Sequence, residues 1–166
     1  MKKIMFNDRY GLTEAVIEGR KTVTRRIMNN QSGYLTGHIR FTKKGSDLLY
    51  VKADFDNGTS EVAPYAIGEI VALAQSYNKI YDLDAIRELD GGFVKLSDCA
   101  GWNNKMFVSA ELMLHQIRIT NIRAELLQDI SDKDCFKEGI RHIPEIGKFY
   151  FEDVRREEGF YFNDHR

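Results

Sequence analysis

Hydrophobic and polar positions along the chain recur at two spacings. Within residues 12–18, Leu12, Ala15 and Val16 fall at helical intervals, which predicts a helix of about two turns. Gly19 stands where a helix-ending glycine stands, and the chain is expected to leave the helix there. Beyond it Lys21, Val23 and Arg25 alternate with Thr22, Thr24 and Arg26, as on an extended segment. Alternation puts Lys21 on the opposite face from Thr24 and Arg26, unless a tight turn at Gly19 brings it round. Residues 3–6 read as a short strand leading into this helix.

Period-two patterning dominates the next stretch. Residues 38–42 alternate, residues 43–46 read as a turn, and residues 48–53 form the return strand. The Asp56-Asn57-Gly58 run marks a second tight turn, because Asn-Gly tolerates positive φ. Residues 69–74 are apolar and read as a strand buried on both faces. Residues 82–89 read as a short helix ended by the Asp90-Gly91-Gly92 run. Residues 114–124 read as a long strand, bent where Ile119 and Ile122 break the alternation. Ser131 is a good N-cap for a helix closed by Gly139, with Asp132 and Asp134 favouring its first turn. Residues 28–33 read as a polar loop, and residues 146–151 as one more strand.

Composition narrows the class. The chain has 166 residues, 43% hydrophobic and 30% charged, enough for one globular domain with a core. No apolar run reaches the length of a membrane span, and residues 1–6 are too short for a signal peptide. A cytoplasmic protein without a membrane partner is expected. Cys99 and Cys135 read as free thiols, since no histidine stands at ligand spacing. No metal and no organic cofactor is implied.

Net charge is −1, which argues against a general nucleic-acid coat. Its distribution is uneven. Residues 1–52 hold eleven Lys/Arg against four Asp/Glu, whereas residues 53–110 hold four against nine and residues 111–166 nine against twelve. The cationic surplus surrounds the Gly19–Arg26 stretch, where a positive face can attract phosphate. A solvated face with no partner is the plainer alternative.

The Gly-x-Lys-x-x-Thr-x-Arg pattern of Gly19, Lys21, Thr24 and Arg26, set after a short strand and helix, resembles the signature of the ASCH domain family, a branch of the PUA-like superfold. The Gly68-Glu69 pair before an apolar strand and the helix ending in Glu138-Gly139 resemble its later blocks. The likeness covers residues 3–143 in three blocks, with insertions at about 34–64 and 78–112. It implies an α+β fold: a single-domain, PUA-like open β-barrel over residues 1–166, with short flanking helices and an inserted hairpin region. Family members of similar length continue into a further helix and a closing strand. Neither is evident here, so an open sheet edge is expected, to which a second copy could pair as a homodimer.

The resemblance also implies chemistry. Small ASCH members include hydrolases that cleave the amide of N(4)-acetylcytidine with a lysine, a threonine and a glutamate. Lys21, Thr24 and Glu138 fall at the matching positions. A threonine hydroxyl needs a base, and a neutral lysine supplies one if burial or neighbouring cations lower its pKa. Glu138 would carry a proton to the leaving nitrogen, and Arg26 would steady an oxyanion or a phosphate. RNA cleavage has also been associated with the family. Arg20, Arg25 and Arg26 are the candidate phosphate contacts, and Tyr34, Tyr77 and Trp102 the candidate base-stacking aromatics. Trp102 reads equally as a cap on the core. Three functions follow: an enzyme acting on RNA or a modified nucleoside, a non-catalytic RNA-binding module, and a structural or interaction protein in which Glu138 only ion-pairs with the basic loop.

Overall fold

The computed structural model describes residues 1–27, 35–43, 48–82, 85–89, 92–145, 147–151 and 160–162. The loop expected over residues 28–33, Tyr34 and the turn over residues 44–46 lie outside them. The fold is mixed α+β, open and rich in short strands. Its described strands form four separate sheets, three of three strands and one of two, and none closes into a barrel.

The organising strand is β5 (Ile70–Leu73). β1 (Lys3–Ile4) runs parallel to it, with Ile4 opposite Leu73, and β8 (Gln116–Arg118) runs antiparallel, with Ile117 opposite Val71. Val71, Ala72 and Leu73 are consecutive and fully buried, so the expectation of a strand covered on both faces holds. Alternate residues serve different clusters. Val71 and Leu73 pack with Ile4 and Phe6, while Ala72 and Ala74 pack with Tyr77, Leu96 and Val108. Burying a side chain the size of Leu73 contributes about 1.5–3 kcal/mol.

β2 (Leu35–Lys43), β3 (Leu49–Phe55) and β4 (Ser60–Ile67) form the antiparallel hairpins expected from the alternation. Asn57 shapes the β3–β4 turn by accepting from the Thr59 N–H at 3.0 Å, and Gly58 takes a φ of 77°. Pro64 sits on the edge strand, where the register shifts between Tyr50 and Lys52, the setting in which a residue without an N–H is tolerated. Lys2 joins this sheet to the central one, with Nζ 2.8 Å from Pro64 O and 3.1 Å from Glu69 Oε2.

Three elements differ from expectation. The helix expected over residues 82–89 is instead β6 (Ile86–Leu89), which pairs with β7 (Gly92–Lys95) with Leu89 opposite Gly92. Asp90 and Gly91 lie outside the described residues; in sequence Asp-Gly is a dipeptide strongly favoured in hairpins. The long strand expected over residues 114–124 is regular only in β8. Its pairing nevertheless runs on to Ile119, whose N–H donates to Glu69 O at 2.9 Å. At the C-terminal side, β9 (Arg141–Ile143), β10 (Lys148–Phe151) and β11 (Phe160–Phe162) make a sheet of their own. The strand expected over residues 146–151 is β10. β11 was not expected, and it pairs with β10 rather than with β1 or β8.

Three α-helices are described, α1 (Leu12–Ile17), α2 (Tyr77–Ile80) and α3 (Asp132–Lys137). α1 falls where the periodicity places it, and α3 where its capping residues place it. Ser131 caps α3 by accepting the Asp134 N–H at 3.2 Å. Among the described residues no helix is long and apolar enough to cross a membrane.

Candidate functional site

Two helices with matching endings build the site. α1 ends on Glu18 and Gly19, and α3 on Glu138 and Gly139; both glycines take positive φ, 75° and 93°. The left-handed turn at Gly19 sends the chain back along α1, and the Lys21 N–H donates to Ala15 O at 2.8 Å. The following two amides, of Thr22 and Val23, both donate to Lys137 O, at 2.9 and 3.1 Å. These bonds dock the basic segment on the C-terminal end of α3, whose last carbonyls would otherwise lack partners. Gly139 lies so close that an added Cβ would sit 3.5 Å from Lys21 Cβ.

This docking turns the Lys21 side chain inward, leaving 3% of it exposed. Its Nζ donates to Val23 O at 2.8 Å, to Glu138 O at 2.9 Å and to Glu138 Oε2 at 2.5 Å. The ammonium group has three hydrogens, and all three have acceptors. The Phe6 ring lies beside it, with its centre 5.6 Å from Nζ. Burial pushes the Lys21 pKa down; Glu138 opposes this, and the nearby Arg26 and Arg25 charges add to the lowering.

Glu138 shares its other oxygen with Arg25, whose Nη1 donates to Oε1 at 3.0 Å. The Arg25 Nε donates to Glu125 Oε1 at 2.7 Å. Arg123 bridges Glu125 at 2.9 Å and Asp134 at 3.1 Å, and Lys137 closes on Asp134 at 3.1 Å. Alternating charges therefore run from buried Lys21 to the surface. Burial opposes the Arg25 charge, but bonds from Glu125 and Glu138 outweigh it and raise its pKa. Hydrogen bonds from Lys137 and Ser131 hold the Asp134 carboxyl down at about 2.

The expected site residues are thus sorted. Lys21 and Glu138, 117 positions apart, are in direct contact. Thr24 is half-buried on the same segment, and among the described residues no hydrogen bond joins its hydroxyl to Lys21 or Glu138. Arg26 is exposed; one Nη donates to Met5 O at 2.6 Å and its guanidinium carbon lies 5.7 Å from the Phe6 ring centre. Arg20 pairs with Glu18 at 2.6 Å.

Burial or pairing engages three of the expected contacts. Tyr77, expected to stack on a base, is 4% exposed and belongs to the core cluster with Ala72 and Ala74. Trp102 is half-buried against that same core, as its alternative reading had it. Arg25 is turned toward carboxylates and is no free phosphate contact. The sequence reading missed Glu125, Arg123 and Asp134 as members of the network, because charges near a helix start are ordinary surface residues until a tertiary contact gathers them.

Cys99 and Cys135 are free thiols. Among the described residues no group of three His, Cys, Asp or Glu side chains is placed to hold a metal ion. Comparison of the chain with known protein families, with curated proteins and with solved structures finds no match.

Proposed function

We propose that this protein recognises RNA or a modified nucleoside at the centre formed by Lys21, Thr24, Arg26 and Glu138, on a PUA-like open barrel, and that it hydrolyses the amide of an acylated cytidine there. The observation that carries the reading is the 2.5 Å contact between Lys21 Nζ and Glu138 Oε2 inside the protein. It joins two residues to which the family resemblance gives parts in one reaction.

The chemistry balances as follows. In the fraction of molecules with neutral Lys21, the Thr24 hydroxyl adds to the amide carbonyl carbon and its proton passes to Lys21 Nζ. Arg26 stabilises the oxyanion. As the carbon–nitrogen bond breaks, the proton travels from Lys21 through Glu138 to the leaving nitrogen. Water then cleaves the acyl-threonine ester, releasing the acid and restoring the hydroxyl. The lowered Lys21 pKa increases the neutral fraction at any given pH, so kcat/KM is expected to rise with pH until Lys21 is deprotonated, below its ordinary value of 10.5.

A second reading is favoured by a specific observation. All three ammonium hydrogens of Lys21 already have protein acceptors, the arrangement of a clamp that fixes the basic segment on α3. A clamp leaves Arg20 and Arg26 at the surface of a non-catalytic RNA-binding module.

Hydrolysis of N(4)-acetylcytidine by wild type, Lys21→Met and Glu138→Gln, each checked for folding, separates the two. Turnover by wild type that drops at least about a hundredfold in both folded variants, the scale of a lost acid–base group, supports the enzyme. A folded wild type without turnover removes amide hydrolysis and leaves the clamp.

A further inference from the structure

Two residues past the central strand lies a buried amide oxygen that no group among the described residues answers. Gln75 is 8% exposed, and among the described residues no donor reaches its Oε1. A buried carbonyl oxygen without a partner is costly, and natural proteins hold few of them. Its backbone is anchored, since the Gln75 N–H donates to Met113 Sδ at 3.2 Å.

Register shows what Gln75 faces. Side chains at 71, 73 and 75 lie on one face of the strand and its continuation, and Val71 and Leu73 pack there with Ile4 and Phe6. The parallel pairing of Ile4 with Leu73 is continued by the Ala74 N–H, which donates to Ile4 O at 2.9 Å. Phe6 belongs to the same cluster as Val71 and Leu73, on that face. The ring of Phe6 is also the one that flanks Lys21 and Arg26, at 5.6 and 5.7 Å. Gln75 therefore shares its side of the sheet with the cationic motif.

We infer that Gln75 is a base-reading residue: its carboxamide hydrogen-bonds the edge of a nucleobase held at the Lys21–Glu138 centre. A carboxamide sets an acceptor beside donors. Its complement is a base edge that sets a donor beside an acceptor. Cytosine has such an edge in its N4–H and N3, and a single N4-acyl group leaves one N4–H in place. A sugar phosphate lacks that edge. The inference rests on the nucleoside reading of the site.

The test is calorimetric titration of cytidine and of ribose 5-phosphate into wild type, Gln75→Met and Gln75→Asn, with thermal unfolding of each. Gln75→Met replaces an unpaired amide with an apolar chain of similar length, so its Tm should equal or exceed that of wild type. It should bind cytidine about tenfold more weakly or worse, the scale of a buried hydrogen bond lost, with ribose 5-phosphate binding unchanged. Gln75→Asn keeps the amide but withdraws it by one methylene, and should lose cytidine affinity as well. A folded Gln75 variant that binds cytidine as wild type does overturns the inference and leaves the site reading intact. A wild type that binds no cytidine overturns both.

Discussion

The Lys21 ammonium and the Glu138 carboxylate meet because two glycines let their helices end abruptly. Neither side chain is free to leave without stranding the other, and a buried carboxylate deprived of its partner is strongly unfavourable. Arg25 holds the remaining Glu138 oxygen at 3.0 Å, so the carboxylate stays oriented even where Lys21 becomes neutral. The outer end of the network gives a prediction about acid stability. The folded Asp134 carboxyl titrates at about 2 against an ordinary 3.8. A carboxyl held below its ordinary value stabilises the fold above that value, and the contribution is lost as pH falls through the folded pKa. Wild type should therefore lose stability between pH 3.8 and about 2 more steeply than Asp134→Asn. Denaturant titrations of both proteins across that range check it; parallel curves would remove Asp134 from the ledger.

At the scale of elements, legibility followed how local the cause was. α1, α3 and their capping residues were readable because Ser131, Gly19 and Gly139 act on amides within one turn. β5 was readable because a short run buried on both faces is apolar throughout. The residues of β6 read as helix in the sequence although their partner strand begins at Gly92, since four residues carry too little periodicity to separate the two structures. Tyr77 and Trp102 were open for a different reason: burial of an aromatic depends on what packs over it. Here the packing is tight. A Cβ added at Gly101 would lie 2.5 Å from the Tyr77 ring and 2.9 Å from Val108. Gly101→Ala is expected to destabilise the protein by about 1–3 kcal/mol, the ordinary cost of overpacking. A thermal melt within error of wild type would show that Tyr77 has room to move. The candidate pair Lys21 and Glu138 was legible only through its motif, and the partners Arg25, Glu125 and Arg123 became legible only with the fold.

Taken whole, the molecule sets a positively charged N-terminal third against acidic remaining segments, and part of that surplus is neutralised internally. Lys21 and Arg25 face carboxylates from the later chain, while Arg26 is exposed. A surface of this kind attracts phosphate weakly and in a salt-dependent way, so the proposed function places recognition at the buried centre. Lys21 is the group through which that claim is most directly measured. Its ammonium is enclosed and bonded three times, which slows proton exchange enough for the side-chain nitrogen to be followed by NMR. During titration with cytidine, the Lys21 Nζ resonance is expected to shift saturably, with a Kd matching calorimetry, and to be absent from the Lys21→Met spectrum. A resonance that stays fixed up to millimolar cytidine, in a protein whose other signals show a native fold, would contradict recognition at this centre and leave Lys21 as a clamp between α1 and α3.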